Sequence, residues 1–358
     1  MRFAYNLRQS DSLRLLPYRG GRVAYGVLAV ALLAAPWLLP SFYVGELSYV
    51  FIMSIASLGL MVLTGFSGQV SLGHSAFLAI GAYAHVNFLA LGVPLPLSLL
   101  ATVVLCALVG LATGVPAIRV HGLYLAMVTL ALAMLVEHVM GQWSSVTGGF
   151  TGLPVPDPTL FGIGLGDLKS FYYLCLALLV IVLLLLLQLL RGATGRALVG
   201  VRDSEAAAAS LGLWVAGYKV LAFVVSAALC GLAGALMAHQ VKYLTPEAFN
   251  LMLSLQLVLM VVIGGLGSLR GAILGAALIS LLPTLISLVK ARLPEAIGKQ
   301  SGLDLFIFGL VLAAFVLLEP TGMNGRWVRA KGFFQFFPLY RSAGRQRVKR
   351  YMKSERYK

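Results

Sequence analysis

The side chains best suited to contact a partner protein lie in a polar insert, GRALVGVRDSEAAAASLG at residues 195–212, between two very apolar runs. Within it, SEAAAASL predicts an alanine-rich helix of eight residues that Gly212 ends. A helix that short is marginal alone in water, and it becomes useful when it docks into a groove of another protein. Short alanines permit close approach, while Arg196, Arg202 and Glu205 would supply polar anchors at the rim of the groove. The insert therefore predicts a docking contact with a partner protein.

Two glycine-interrupted segments place polar atoms in apolar surroundings: TGFSGQVSLGHSAFLAIGAY at residues 64–83 and VIGGLGSLRGAILGAAL at 262–278. Each follows an apolar run and opens a new helix, which resembles a weak duplication between the two halves. Backbone freed at membrane depth survives only inside protein or beside water, and paired interrupted helices in a transporter point to the transport pathway. A helix that begins near Ser71 would aim its free N–H groups at an anionic group such as a carboxylate. The candidate pathway residues are Thr64, Gly65, Gly68, Gln69, Ser71, Gly73 and His74.

A structural alternative stays open for both segments. In the first, the polar groups would only tie helix ends together. In the second, Gly267, Gly271 and Gly275 form a small-xxx-small stripe that suits close helix packing. We favour a pathway role for the first segment and a packing role for the second.

Sequence motifs for catalysis or metal binding are absent. The sequence has no G-x-x-x-x-G-K-[ST] phosphate loop, and it has no H-E-x-x-H, C-x-x-C or G-x-S-x-G. Glu137 and His138 are adjacent, so on a helix they would not share one face. Within the apolar runs the acidic residues are Glu46 and Glu137, each near an outer end, whereas coupling to protons or cations usually requires more such groups. We expect no enzyme, no metal site and no cofactor bound by this chain, so energy for uphill transport must come from a partner.

Membrane helices must hold these segments in place. Of the 358 residues, 60% are hydrophobic and 11% charged, against about 45–50% and about 25% in a soluble domain. Cys106, Cys175 and Cys230 lie within apolar runs, which favours packing roles over disulfides. The runs predict an all-α, polytopic membrane protein with about ten transmembrane helices. The eighth run is short, and the sequence leaves open whether it ends there or continues through the glycines that follow it. The runs lie near residues 23–40, 43–64, 70–91, 94–116, 122–142, 170–190, 218–239, 251–264, 271–289 and 303–319.

The distribution of positive charge predicts the orientation. With a cytoplasmic N-terminus and ten crossings, 22 of the 27 Lys and Arg residues fall on the cytoplasmic side, as the positive-inside rule requires. The chain then divides into a cytoplasmic basic arm at 1–22, a transmembrane domain at 23–319 with a cytoplasmic loop at 191–217, and a cytoplasmic basic tail at 320–358. Aromatic residues precede the basic cluster of the tail, which favours contact with inner-leaflet lipid over nucleic acid.

Several motifs in one order resemble the LivM-type permeases of ABC importers for branched-chain amino acids, whose relatives carry urea or short amides. The motifs are GLMVLTGFSGQVSLGHSAFLAIGAY, GLYLAMVTLALAMLVEH, GRALVGVRDSEAAAASLG–YKVLAFVVSAALCGLAGAL and VVIGGLGSLRGAILGAAL, over about residues 50–320. The resemblance implies the ABC importer permease fold in a bacterial inner membrane and a heterodimer with a LivH-type subunit. It also implies a periplasmic solute-binding protein and two cytoplasmic ATPases, which would bind the ATP and Mg²⁺.

The resemblance further implies that the insert contacts an ATPase. Glu205-Ala206-Ala207 followed by Gly212 reproduces the EAA-x-x-x-x-G core of importer loops, and Asp203 stands where relatives often have Asp or Asn. The implied coupling residues are Gly195, Arg196, Arg202, Asp203, Glu205, Ala206, Ala207 and Gly212.

The matched segments do not identify the solute. Branched-chain amino acids lead, and urea, short amides, and aromatic or other carboxylates are the alternatives. The competing protein classes are a secondary transporter or channel, which intramembrane carboxylates would favour, and a membrane-embedded enzyme, which would need a convergent nucleophile or metal set.

Overall fold

The computed structural model describes residues 19–120, 122–160, 163–164 and 166–290, with short pieces at 308–310, 313 and 322–327. The predicted arm up to residue 18, nearly all of the predicted span 303–319 and the tail beyond 327 lie outside the described residues. The described elements are α1 (Arg19–Leu38), α2 (Ser41–Leu60) continued by a π-helix (Met61–Phe66), α3 (His74–Ala90), α4 (Leu95–Ala117), α5 (Leu123–Gln142), α6 (Ser144–Thr147), a 3-10 turn (Gly149–Thr151), β1 (Leu153–Pro154), β2 (Thr159–Leu160), β3 (Ile163–Gly164), α7 (Leu168–Arg191), α8 (Ala193–Asp203), α9 (Glu205–Ser210), α10 (Val215–Val241), β4 (Tyr243–Leu244), a 3-10 turn (Pro246–Phe249), α11 (Leu251–Gly264) and α12 (Leu269–Lys290).

Within this part of the chain, seven helices are long and apolar enough to cross a membrane: α2, α4, α5, α7, α10, α11 and α12. Helices suit this environment because each satisfies its own backbone hydrogen bonds, which lipid cannot do. Helix α1 contains a shorter apolar stretch, Tyr25–Leu38, and α3 has 17 residues. Nine predicted apolar runs thus coincide with helices. The chain is a polytopic all-α membrane protein, and the count of about ten crossings stays a prediction.

Helices α2 and α10 form the centre of the bundle. In the spanning stretch of α2, 83% is buried, and in that of α10, 67%, against 22% in α5 and 28% in α7. Helix α10 packs against α2, α3 and α4, and α2 also contacts α7 and α12. Small residues permit this closeness, as is usual for helices in lipid. A Cβ added at Gly81 would lie 2.3 Å from the Gly231 carbonyl oxygen, and one added at Gly234 would lie 2.0 Å from that of Leu78.

The outer helices present apolar side chains to their surroundings. Leu123 and Met127 of α5 and Leu185 of α7 are more than half exposed in the single chain. Such surfaces are stable only against lipid tails or against another apolar helix. The bundle therefore fits a membrane on its periphery and keeps its polar contacts for the two ends and the interior.

The end of α11 answers a question that the sequence left open. The eighth apolar run does not continue through the following glycines, because α11 ends at Gly264 and Gly265 has a φ of 107°. The 3-10 turn Pro246–Phe249 lengthens this element at its other end, so that an apolar stretch of 19 residues results.

The connections fall into two groups at opposite ends of the bundle. Strand β1, after α5, pairs antiparallel with β4, after α10, in the register Leu153 to Leu244. The Tyr243 hydroxyl donates a hydrogen bond to the Thr151 carbonyl oxygen in the same group. Helices α8 and α9 lie at the other end, where α8 contacts the π-helix. We call the interruptions in the segments 64–83 and 262–278 the first and second glycine breaks. The insert and the first glycine break therefore share one end of the bundle.

Candidate functional site

The polar insert forms two short helices that meet at Ser204. Helix α8 was not predicted, and the predicted eight-residue helix is shorter, Glu205–Ser210. The Ser204 hydroxyl accepts a hydrogen bond from the Ala207 N–H at 3.3 Å, which makes it the N-cap of α9. Gly212 has a φ of 80° and comes just after Leu211, the C-cap residue of α9, so its predicted role as the stop residue is confirmed. Gly195 lies close to the end of α7, since an added Cβ would lie 2.0 Å from the Leu190 carbonyl oxygen.

One face of the insert is unusually open. Ala206, Ala207 and Ala209 are exposed, while Ala208 is buried against the protein. Beyond α9, Leu211 is 81% exposed and Trp214 is 77% exposed. Large apolar side chains beside short alanines are typical of a docking surface. Sequence reasoning missed Leu211 and Trp214, although large apolar residues on both sides of Gly212 were a visible signal.

Arg202 is directed toward its own chain. Its Nη1 donates a hydrogen bond to the Gly65 carbonyl oxygen at 2.9 Å. Its Nε and Nη2 donate to Asp203 Oδ1 at 3.0 and 2.9 Å. The aliphatic part of the side chain packs on Gly68, where an added Cβ would lie 2.9 Å from Arg202 Cγ. Arg196, by contrast, donates to the Arg191 carbonyl oxygen and is exposed.

Glu205 also bonds within the chain. Its Oε1 lies 2.6 Å from Nζ of Lys219, whose side chain is only 6% exposed. The carbonyl oxygen of Lys219 in turn accepts a hydrogen bond from Gln69 Nε2 at 3.2 Å. A second path of polar contacts thus runs from the insert to the first glycine break. Sequence reasoning missed Lys219, although a single lysine at the start of an apolar run was a signal.

The first glycine break begins with a π-helix. In this wider turn the Ser67 N–H donates to the Val62 carbonyl oxygen at 3.2 Å, and the Gln69 N–H to that of Leu63 at 3.1 Å. The Thr64 hydroxyl donates to the Leu60 carbonyl oxygen at 2.8 Å, a bond within its own helix. π-Helical turns are rare and concentrate at functional sites. Neither composition nor spacing predicted this one.

The polar side chains after the π-helix are buried and bonded to protein groups. Gln69 Nε2 lies 2.5 Å from Ser67 Oγ. Ser71 Oγ lies 3.1 Å from His74 Nδ1, and His74 Nε2 lies 2.7 Å from Ser226 Oγ on α10. These bonds join helix ends, as the structural alternative proposes. The pathway role of these residues stays a prediction.

Gly73 permits close contact between this segment and α5. A Cβ there would lie 2.4 Å from the Thr129 carbonyl oxygen of α5, and the Leu72 N–H donates to Thr129 Oγ1 at 3.0 Å. Next along the chain, the Ser75 N–H donates to Ser254 Oγ of α11 at 3.0 Å. The start of α3 is therefore anchored to two other helices.

The second break meets the first, 206 residues away in sequence. The Gly267 N–H lies 3.3 Å from Met61 Sδ, and a Cβ at Gly65 would lie 2.8 Å from the Gly267 nitrogen. Gly267 itself lies in the turn before α12, with a φ of 80°, so it does not belong to the predicted helical stripe. Gly271 and Gly275 do, and an added Cβ on Gly275 would lie 1.8 Å from the Met260 carbonyl oxygen of α11. Their predicted packing role fits this contact.

A histidine pair and a small cavity lie toward the opposite end. His85 Nε2 and His239 Nε2 are 2.9 Å apart, and His85 Nδ1 is 2.7 Å from Ser98 Oγ. In the part of the chain that the structure describes, no third His, Cys, Asp or Glu completes a metal site. His239, Asp157 and Lys242 line a cavity of about 160 Å³ beside the pair.

The fold and the site together define a class of protein: a multi-pass α-helical membrane protein with interrupted helices and a polar insert at one end. Residues 42–328 match the family described as the permease component of the branched-chain amino acid transport system, and the chain belongs to this family. It is a membrane subunit of a transporter and not an enzyme.

Individual relatives agree with this assignment. The chain is 36% identical to the high-affinity branched-chain amino acid transport system permease protein LivM of Escherichia coli, over 84% of this chain and 73% of the relative. It is 34% identical to LivM of Salmonella typhimurium, over 83% and 73%. It is 24% identical to a probable branched-chain amino acid transport permease protein, LivH, of Methanocaldococcus jannaschii, over 80% and 93%. No solved structure matches the chain.

Proposed function

We propose that this chain forms half of the translocation pathway of an ATP-driven importer for branched-chain amino acids. The observation that carries the proposal is identity of 34–36% to two LivM proteins over most of the chain. The exposed surface around α9 supports an ATPase contact, because an ATPase subunit outside the membrane must bind to a surface at the end of the helix bundle. Urea, short amides and aromatic or other carboxylates are the alternative solutes.

The complete importer in this proposal contains three further kinds of protein. A LivH-type subunit pairs with this chain, and the relationship to a LivH protein supports a pair of similar fold. Two cytoplasmic ATPases bind ATP and Mg²⁺, a periplasmic binding protein delivers the solute, and this chain binds no cofactor. Membrane lipid surrounds the outer helices. Both termini and the insert are cytoplasmic, as the charge distribution predicts.

Transport by the reconstituted complex tests the function directly. The permease pair, the ATPases and the binding protein are placed in proteoliposomes, and uptake of labelled leucine, isoleucine and valine is compared with urea, acetamide and benzoate. We expect uptake of the three amino acids that requires both ATP and binding protein. Uptake that is independent of ATP would instead support a secondary transporter or channel.

A substitution at Gly212 tests the coupling role of the insert. Gly212→Val places a β-branched residue at a φ of 80°, where nothing lies within 4 Å of the new Cβ, so backbone strain is the main effect. We expect an inserted permease in which ATP hydrolysis no longer drives uptake. Gly92→Val is the matched control, because Gly92 has a φ of 79° and equally open surroundings. It follows the end of α3 that is farther from the insert. If the amount of solute taken up per ATP hydrolysed were equal in the two variants, the assignment would be refuted.

A further inference from the structure

The guanidinium of Arg202 bonds to the first glycine break and lies beside the second. It donates to the Gly65 carbonyl oxygen at 2.9 Å, and a Cβ on Gly267 would lie 3.2 Å from its Nη1. Asp203 holds the other side of the guanidinium at 2.9–3.0 Å. An arginine fork bonded on two sides has a defined orientation, which a single point contact would lack.

The backbone around Arg202 is adapted to its presence. Gly68 has a φ of 75°, and any Cβ there would lie 2.9 Å from Arg202 Cγ. A Cβ on Gly65 would lie 2.4 Å from Met61 Sδ and 2.8 Å from the Gly267 nitrogen. Glycine at positions 65, 68 and 267 thus lets the Arg202 side chain, the π-helix and the second break approach one another closely.

The acceptor of the Arg202 bond belongs to a π-helical turn. Gly65 lies within the π-helix Met61–Phe66, which continues the α-helix Ser41–Leu60 without a gap. A π-turn differs from an α-turn by a shift of the hydrogen-bond partner, and such turns concentrate at functional sites. A donor bonded to a carbonyl group in that turn favours the π-helical pattern.

From these contacts we infer that Arg202 is a positioning residue for transport. It transmits movement of the insert to the π-helical segment, and through Gly267 to the turn before α12. This inference rests on the proposed coupling of the insert to an ATPase. In the present arrangement Arg202 holds the π-turn, and a shift of α8 would release the Gly65 carbonyl group.

The exposure of Arg202 separates this role from a purely structural one. Its side chain is 35% exposed, so water can solvate the guanidinium when the Gly65 bond is absent. Removal of a partly exposed charged group affects stability less than removal of a buried partner. The effect of a substitution on coupling can therefore be measured in an assembled complex.

The test compares Arg202→Met and Arg202→Lys in proteoliposomes with the full set of partners. Both variants retain an unbranched stem against Gly68, but methionine has no donor, and lysine cannot reproduce the fork. In complexes that assemble normally, we expect leucine taken up per ATP hydrolysed to fall about tenfold in Arg202→Met and by a smaller factor in Arg202→Lys. Arg119→Met, which removes an exposed arginine in another loop, serves as the control and is expected to retain the wild-type ratio.

Each outcome discriminates between the hypotheses. A wild-type ratio in Arg202→Met, while Gly212→Val is uncoupled, overturns the positioning role and leaves the coupling role of the insert intact. Wild-type ratios in both variants overturn the coupling assignment itself. If Arg202→Met fails to assemble, the ratio in Arg202→Lys decides. A reduced ratio supports the inference, and a wild-type ratio shows that Arg202 only stabilises the fold.

Discussion

The ion pair between Glu205 and Lys219 can be tested by charge exchange. Glu205 Oε1 and Lys219 Nζ are 2.6 Å apart, with side-chain exposures of 46% and 6%. Three variants are compared: Glu205→Lys, Lys219→Glu and the double variant that exchanges the charges. If the pair stabilises the insert on α10, the double variant will recover much of the free energy of unfolding that each single variant loses.

The expected magnitude follows from the burial of the two groups. Loss of the partner of a fully buried charge costs about 3–5 kcal/mol, whereas an exposed pair contributes roughly 0.2–1 kcal/mol. Because one partner is buried and the other is half exposed, we expect the free energy of unfolding to fall by about 1–3 kcal/mol in each single variant. Recovery in the double variant will be incomplete, because Glu205 lies in the first turn of α9, where a negative charge gains about 0.3–1 kcal/mol from the helix dipole.

Thermal unfolding of the purified complex provides the assay. Cys106, Cys175 and Cys230 are free and buried, so a thiol-reactive dye reports unfolding of this chain when the partner subunits carry no cysteine. At roughly 2 °C per kcal/mol for a large chain, each single variant should lower Tm by about 2–6 °C. Glu247→Lys, the same charge change at an exposed residue on the opposite end, should stay within about 0.5 kcal/mol of wild type.

Additivity is the result that would refute this reasoning. Losses that add in the double variant to within about 0.5 kcal/mol would mean that the two side chains do not interact. Restored Tm without restored ATP-driven uptake would assign Glu205 two roles, an internal ion pair and a contact with the ATPase. Restored Tm and uptake together would make the ion pair sufficient to explain the glutamate.

Three further predictions concern the glycines and the orientation. Gly68→Leu should block uptake while the complex still assembles, because the new side chain meets Arg202 and needs a φ of 75°; wild-type uptake would contradict a pathway role for this segment. Gly234→Ala should destabilise the bundle by about 1–3 kcal/mol or more, because the new Cβ would lie 2.0 Å from the Leu78 carbonyl oxygen, whereas Gly45→Ala, with its nearest contacts at 3.9 Å, should have little effect in the dye assay. Ser204→Cys in a background without the native cysteines should react with an impermeant maleimide only from the cytoplasmic side, and strong labelling from outside would reverse the proposed orientation.

Local chemistry was sufficient to predict much of the architecture. Long apolar runs must be helices in lipid, so nine of the predicted runs appear as helices. The stop at Gly212 depends only on a backbone conformation that glycine adopts at low cost, and the structure has it at φ 80°. The three cysteines are free, as their positions inside apolar runs indicated.

Tertiary structure alone decided which polar groups meet. Arg202 contacts Gly65 from 137 positions away, and Gly267 contacts Met61 from 206 positions away. Hydrophobic periodicity and turn chemistry describe neighbours along the chain, whereas these contacts depend on which helix faces pack together. For the same reason, the sequence identified Arg202 and Glu205 as outward anchors, and only the packed bundle turned both of them toward their own chain.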